Sequence, residues 1–163
     1  MDKFKKIVKE IYPYVIIILV VILIRLFIIT PVTVDGPSMN ETLHQGDVLI
    51  INKINKENPK RDQIVVFRKG NDKLIKRVIA LPGEKIKCVS GTIYINNEEY
   101  NDSYGYGTTT DFMEVKLGDG QYFVLGDNRQ NSADSRLFGP VSKEKIEGTA
   151  LFRVFPFTKL AMF

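Results

Sequence analysis

The sequence predicts a mostly β protein, in which a single N-terminal transmembrane helix is followed by an all-β domain of short antiparallel strands. Two observations support this fold class. The chain is almost continuously apolar from Ile11 to Ile29. Beyond residue 30, short runs rich in β-branched and aromatic residues are separated by glycine, proline and asparagine. The sequence does not alternate strands with long helices, which argues against an α/β fold.

Residues 11–30 are predicted to be the transmembrane anchor. About nineteen helical residues span about 28 Å, close to the thickness of the hydrocarbon layer. Arg25 lies near the far end of the run, where its long side chain can reach the headgroups. A cleavable secretory signal needs small residues at its cleavage site, whereas residues 27–32 read FIITPV. A buried core helix would need a polar outer face, which this run lacks.

The net charge of +4 lies mainly at the N-terminus. Residues 1–30 contain five basic and two acidic side chains, and the basic ones before the apolar run are Lys3, Lys5, Lys6 and Lys9. By the positive-inside rule, residues 1–10 form a cytoplasmic basic tail, and residues 31–163 lie outside the cytoplasm as the β-rich domain of a single-pass cell-membrane protein. The domain shows no basic stripe in its sequence, so no nucleic acid is predicted as a partner.

The elements of the domain follow in order. The predicted strands are Val48–Ile51, Gln63–Phe67, Leu74–Ile79, Lys85–Val89 and Tyr122–Leu125. Thr92–Ile95 and Glu98–Tyr100 are predicted to form a hairpin about Asn96-Asn97. The polar segment Asn101–Thr110 is predicted to be a loop, and Ser142–Glu147 a short helix.

The sequence supplies few residues for the commonest catalytic and metal chemistry. Cys88 is the single cysteine, so it forms no intramolecular disulfide, and we expect a buried thiol in a strand. His44 is the single histidine, and its position next to Gly46-Asp47 is typical of a solvated loop. The sequence therefore has too few histidine and cysteine residues to favour a Ser-His-Asp triad or a zinc site, and we predict no metal and no cofactor.

A lysine can replace histidine as a general base if burial lowers its pKa. Lys76 is the best placed lysine, because on an alternating strand it shares a face with Leu74 and Val78. Ile75 and Ile79 fall on the other face. From this segment alone, an ordinary strand lysine facing water is the simpler interpretation, and catalysis stays open beside it.

Ser38 is the candidate nucleophile. It follows Gly36-Pro37, and this pair favours a sharp turn that presents the serine hydroxyl and nearby backbone N–H groups. A third segment, residues 126–136 (GDNRQNSADSR), follows an apolar strand and contains no lysine or glutamate. We interpret it as a buried polar network, although a surface turn and a solvated loop remain open for these two segments.

Taken together, these segments resemble the bacterial type I signal peptidases, a family of Ser-Lys proteases. The resemblance is carried by four ordered blocks: GPSMNETL (36–43), GDVLIINK (46–53), IKRVIALPGE (75–84) and GDNRQNSADSR (126–136). The sequence is most similar to the Gram-positive-type members, because Gly36 occupies the position where other members carry a serine whose hydroxyl stabilises the oxyanion. Four residues depart from the usual pattern of the family, and none of them belongs to the implied dyad: Glu41, Asp62, Gln63 and Glu84.

The resemblance implies a role for each matching residue. Ser38 matches the nucleophile and Lys76 the general base, while Ser132 matches the hydroxyl that orients the lysine. Four charged residues match positions that support the site through ion pairs: Asp127, Arg129, Asp134 and Arg136. Four apolar residues match positions near the substrate pockets: Val34, Met39, Leu43 and Ile75.

The resemblance also implies a function: a membrane-bound serine endopeptidase that removes N-terminal signal peptides from exported preproteins through an acyl-enzyme, without a cofactor. Its partners would be signal peptides and the lipid bilayer, close to the secretion translocon. Two alternatives stay open. One is a specialised Ser-Lys peptidase that matures a single dedicated exported substrate, and the other is a non-catalytic, membrane-tethered β domain that binds a partner.

Overall fold

The computed structural model describes residues 2–54, 56 and 58–163. Helix α1 covers Asp2–Phe27 and the short helix α2 covers Ser135–Phe138. The strands are β1 (Ile29–Thr33), β2 (Val48–Asn52), β3 (Ile64–Lys69), β4 (Asp72–Ala80), β5 (Lys85–Val89), β6 (Thr92–Ile95), β7 (Glu98–Glu99), β8 (Phe112–Lys116), β9 (Gln121–Leu125), β10 (Val141–Ser142), β11 (Ile146–Phe155) and β12 (Ala161–Met162). Single 3₁₀ turns cover Arg129–Asn131, Lys143–Lys145 and Phe157–Lys159.

Helix α1 contains one segment, Lys6–Arg25, that is long and apolar enough to cross a membrane by length and composition, and none of it is buried in the protein. The helix begins earlier than the predicted anchor, because lysine and glutamate at residues 3–10 are good helix formers. At its C-terminal end, the predicted anchor of residues 11–30 extends past the end of α1. Ile29 and Thr30 belong to β1, where pairing with β2 satisfies their backbone groups.

The strands form two antiparallel sheets, which confirms the predicted mostly β fold. In the larger sheet the order is β1-β2-β11-β3-β4-β9-β10, and β12 pairs with β11. The smaller sheet has the order β7-β6-β5-β8 and contains the predicted hairpin, with Asn96 and Asn97 at positive φ in its turn. All five strands predicted outside the hairpin are present, to within one or two residues at their ends.

The predicted short helix over Ser142–Glu147 is wrong. Ser142 ends β10, residues 143–145 form one 3₁₀ turn, and β11 begins at Ile146. Ile146 and Gly148 pair with β3 and are buried there. The backbone of this segment therefore forms its hydrogen bonds across the sheet, and too few residues remain for an α-helix.

Alternation along the strands separates the hydrophobic core into clusters. Leu74 and Val78 of β4 contribute to one cluster, together with Val65 and Phe67 of β3. Ile75, by contrast, packs against the residues around Ser38, and the smaller sheet packs on a third cluster that contains Ile79. The predicted alternation of β4 is therefore confirmed, and it places the strand between two packed faces.

Candidate active site

The turn that carries Ser38 depends on the glycine before it. Gly36 has φ of +87°, a conformation that a residue with a side chain rarely adopts. The Asn40 N–H donates to the Pro37 carbonyl at 3.0 Å, and the Leu43 N–H donates to the Met39 carbonyl at 2.7 Å. Buried Met39 and Leu43 pack below this turn. The result is a tight, anchored loop with Ser38 at its bend.

Lys76 meets this turn from β4. Its side chain is 3% exposed, and its Nζ lies 2.7 Å from Ser38 Oγ. The Nζ also donates to the Ile75 carbonyl at 2.9 Å. The fold therefore brings together two residues that are 38 positions apart in the chain, at the distance that a proton transfer between them requires.

Burial makes this lysine chemically unusual. Desolvation lowers the pKa of Lys76 from its usual 10.5 to about 8, against the carboxylates of Asp134 and Asp127, which act to raise it. A lysine with this pKa is partly neutral just below pH 8, and a neutral amine accepts a proton. The pair has the geometry and the acidity of an activated nucleophile and its base.

Ser132 lies in the same region without the predicted hydrogen bond. Its hydroxyl is buried and makes no well-formed hydrogen bond among the described residues, although its closeness to the Asp134 carboxylate helps to hold the pKa of that carboxyl low. Gly126 packs between Ser132 and the Ser38 turn, since a Cβ at Gly126 would clash with the Ser132 hydroxyl and with the Ser38 carbonyl oxygen. Ser132 is thus within the site, but in this structure its hydroxyl does not orient Lys76.

The side chains of the four predicted charged residues are buried, and two of the four pair with residues outside this segment. Only Asp134 and Arg136 pair with each other inside the polar segment. Asp127 instead binds Arg77 through two hydrogen bonds of 2.9 and 2.6 Å, and both side chains are at most 3% exposed. Arg129 is fully buried and pairs with Asp102, for which the sequence predicted no role.

Asp134 joins the polar segment to β9 and α2. Burial by itself raises the pKa of its carboxyl, but hydrogen bonds from Arg136 and from the Gly126 N–H outweigh this effect and hold the pKa below its ordinary value. The Arg136 N–H also bonds the Asp134 carboxylate, which caps α2. Asp134 therefore stays ionised and fixes the segment that follows β9.

Asn128 attaches the polar segment to the serine turn. Its backbone N–H donates to the Ser38 carbonyl at 3.1 Å, and its Nδ2 donates to the Pro37 carbonyl at 3.2 Å. No role was assigned to Asn128 from sequence, although it lies inside the recognised block. These contacts make it a positioning residue for the turn.

The predicted loop over residues 101–110 covers this network. The Tyr106 N–H donates to the Asp127 carbonyl at 2.7 Å, and the Arg129 N–H donates to the Tyr106 carbonyl at 3.0 Å. The ring of Tyr104 lies over the Arg77 guanidinium, 3.7 Å from ring centre to Cζ. Only the tyrosines in an otherwise polar loop could have indicated these contacts.

A cleft of about 320 Å³ opens beside the Ser38–Lys76 pair. Three of the predicted pocket residues line it, namely Val34, Met39 and Ile75. Leu43 does not line it, because it is fully buried in the core below the turn. Residues 31–33 of β1 line the cleft as well, which the sequence did not predict.

The cleft connects distant parts of the larger sheet. β1 and β4 both line it, although β2, β11 and β3 separate them in the strand order. The sheet must therefore be strongly coiled. β1 pairs only with β2 within the described residues, so its outer edge has free backbone groups for an extended peptide.

The remaining candidates lie away from this centre. His44 is exposed, as expected for a loop residue. Cys88 is 2% exposed in β5, as expected for a buried thiol. Across the part of the chain that the structure describes, no three His, Cys, Asp or Glu side chains are grouped so that they could hold a metal ion.

Residues 7–155 match the family model described as signal peptidase, peptidase S26. The chain is 39% identical over 160 residues to signal peptidase I of Bacillus amyloliquefaciens, with 90% of this chain and 86% of that protein covered. It is 39% identical to signal peptidase I T of Bacillus subtilis (90% and 84% covered) and 31% identical to signal peptidase IB of Staphylococcus aureus (95% and 93% covered).

A crystal structure of a signal peptidase I from Enterococcus faecalis resembles this fold. The TM-score is 0.51 at 33% sequence identity, and the match covers 56% of this chain and 96% of the other. The comparison in structure therefore agrees with the comparisons in sequence.

Proposed function

Because the chain belongs to the signal peptidase family, peptidase S26, we propose that it removes N-terminal signal peptides from exported preproteins as a membrane-anchored serine endopeptidase. Ser38 is the nucleophile and Lys76 the general base. The observation that carries this proposal is the 2.7 Å distance between Ser38 Oγ and Lys76 Nζ, with the lysine buried and its pKa lowered to about 8. Helix α1 is the anchor, with its N-terminus in the cytoplasm.

The reaction begins when neutral Lys76 takes the Ser38 proton as Oγ attacks the carbonyl carbon of the scissile bond. The negative charge that develops on the carbonyl oxygen is stabilised by the backbone N–H of Ser38. Protonated Lys76 then donates its proton to the leaving amine, the C–N bond breaks, and the signal peptide remains as an ester on Ser38. Water activated by the same lysine hydrolyses this ester and restores both residues.

The cleft favours an extended substrate with small side chains. A peptide segment that pairs with the open edge of β1 would direct every second side chain to the same face. The residue before the cleaved bond and the third residue before it would then both face the walls formed by Val34, Met39 and Ile75. A volume of about 320 Å³ shared by two side chains and a backbone leaves little room for branched residues.

A matched set of preproteins tests this specificity. With alanine at both positions, we expect a single cut, directly after the alanine that is nearer the C-terminus. Isoleucine next to the cut should lower kcat/KM about 100-fold, because overfilling a packed pocket costs about 3 kcal/mol. Isoleucine at the second residue before the cut is the control and should change it little, since that side chain points away.

The measurement is the rate of product formation, with the new N-terminus identified by mass spectrometry. Equal cleavage of the alanine and isoleucine substrates would contradict the pocket assignment. A panel of unrelated preproteins with alanine at both positions separates a general peptidase from one dedicated to a single substrate, which would cut only one of them.

A further inference from the structure

A basic groove lies at the end of the larger sheet from which α1 leaves. It has a volume of about 490 Å³ and is lined by five basic and two acidic side chains together with Ile146. The charged residues of the groove are Lys53, Lys56, Arg68, Lys73, Lys145, Glu144 and Glu147. Its net charge of +3 exceeds that of residues 31–163 as a whole, which contain eighteen basic and seventeen acidic residues. The positive charge of the domain is therefore concentrated here.

Strand register places this groove next to the membrane anchor. Ile29, Asn52, Thr149, Val65 and Lys76 are paired across five neighbouring strands and form one row. The groove residues all lie beyond this row on the side where β1 joins the anchor helix. The Lys53 N–H also donates to the Ile28 carbonyl at 2.9 Å, directly at the end of α1.

The charged side chains at this end of the sheet form ion pairs in part and are largely exposed to solvent. Glu147 pairs with both Arg68 and Lys73, whose side chains are still 58% and 44% exposed. Lys56 and Lys145 are exposed. Ile54 is 64% exposed beside the lysines of the β2–β3 connection. Exposed bases around one apolar side chain suit the boundary between headgroups and acyl chains.

From this arrangement we infer that the groove docks the domain onto anionic phospholipid headgroups of the bilayer that α1 spans. This inference rests on the membrane anchoring proposed above. No lysine or arginine occurs from residue 26 to residue 52, so the chain that directly follows the anchor is free of the charges that oppose translocation. The groove forms only when three separate segments fold together.

Docking through this groove sets the height of the active site above the membrane. Lys73 lines both the groove and the catalytic cleft. Lys76 follows three residues later on β4, which corresponds to roughly 10 Å along the strand. A docked domain therefore holds the Ser38–Lys76 pair close to the surface from which a membrane-embedded signal peptide emerges.

The test uses the full-length protein with Ser38→Ala in lipid nanodiscs. An environment-sensitive fluorophore is attached at Asn71→Cys, in the exposed turn between β3 and β4, while Cys88 is buried and does not react. Discs of phosphatidylcholine alone are compared with discs that contain phosphatidylglycerol. We expect a blue-shifted emission only in the anionic discs, and its loss in high salt.

Two double variants decide whether the groove is responsible. Lys56→Gln with Lys145→Gln should weaken docking about 25-fold, since each basic side chain near an anionic surface contributes roughly a fivefold factor. Lys87→Gln with Lys116→Gln makes the same charge change on the smaller sheet and should leave docking within about twofold of the parent.

Equal emission in the two kinds of disc, or an equal loss in both double variants, would overturn the inference. These outcomes are separate from a failure of the proposed function, because the readout needs no peptidase activity. If α1 were not an anchor, the protein would not co-purify with either disc.

Discussion

Replacing Lys76 with methionine is expected to lower kcat/KM for a preprotein by about 10⁴-fold, because Ser38 loses the base that accepts its proton. The same variant should unfold less readily than the parent near pH 7. Burial disfavours the lysine ammonium and lowers its pKa from 10.5 to about 8. A shift of this size means that the protonated lysine destabilises the folded state by about 3 kcal/mol. Methionine fills similar space without this penalty.

The pH dependence follows from the direction of the shift. Because the folded-state pKa lies below the unfolded one, the unfolded chain holds more protons between about pH 8 and pH 10.5. The contribution of Lys76 to the free energy of unfolding therefore rises with pH across this window and is most unfavourable below it. Within the pH range in which the protein stays folded, kcat/KM should rise through about pH 8 as Lys76 becomes neutral.

Both properties can be measured on one set of samples. Preprotein cleavage and urea unfolding in detergent are compared for the parent, Lys76→Met and the exposed-site control Lys116→Met. The control should retain activity and stability. Cleavage by Lys76→Met at more than about a tenth of the parental rate, or a pH–rate profile without a rise near pH 8, would contradict the role of this lysine.

Replacing Asp127 with alanine is expected to cost about 3 to 5 kcal/mol of the free energy of unfolding. Asp127 forms two hydrogen bonds with the Arg77 guanidinium in a site that excludes water. Without the carboxylate, a buried cation is left without its ionic partner, which is far more costly than loss of an exposed pair. Such a loss is a large part of the stability of a typical domain.

A double variant separates the ion pair from simple packing. Arg77→Met with Asp127→Leu removes both charges and should recover most of the stability lost in Asp127→Ala. Glu114→Ala breaks the exposed pair with Lys85 and should cost at most about 1 kcal/mol. Urea unfolding of the four proteins checks these values, and a double variant no more stable than Asp127→Ala would argue against the electrostatic explanation.

The strands that the sequence missed show what patterns cannot resolve. β1 continues the apolar run of the anchor, so its composition does not mark the change from helix to strand at Ile29. Pro31 also makes the segment look unlike a strand. β11 contains Gly148 and irregular register at several points, and these interrupt the alternation that identifies a strand. β8 has a weak pattern with exposed Met113 and Glu114.

The proximity of Ser38 and Lys76 could be predicted, but the surroundings of the two residues could not. The turn before Ser38, the apolar neighbours of Lys76 and the recognised blocks are local features of the sequence. The partners of Asp127 and Arg129 lie 50 and 27 residues away in the chain, and the bases of the groove come from three segments. Only the folded backbone brings such residues together, and of the four charged residues in 126–136 only Asp134 and Arg136 pair with each other.

The central claim is that Ser38 forms a covalent acyl intermediate while a signal peptide is removed. The most direct measurement is to react the full-length protein with a preprotein, quench it in acid, digest it and locate any ester-linked peptide by mass spectrometry. We expect the C-terminal residue of the signal peptide attached to Ser38 Oγ, and neither adduct nor cleavage with Ser38→Ala. Processing of the preprotein by Ser38→Ala at the parental rate, or an adduct on another residue, would contradict the account.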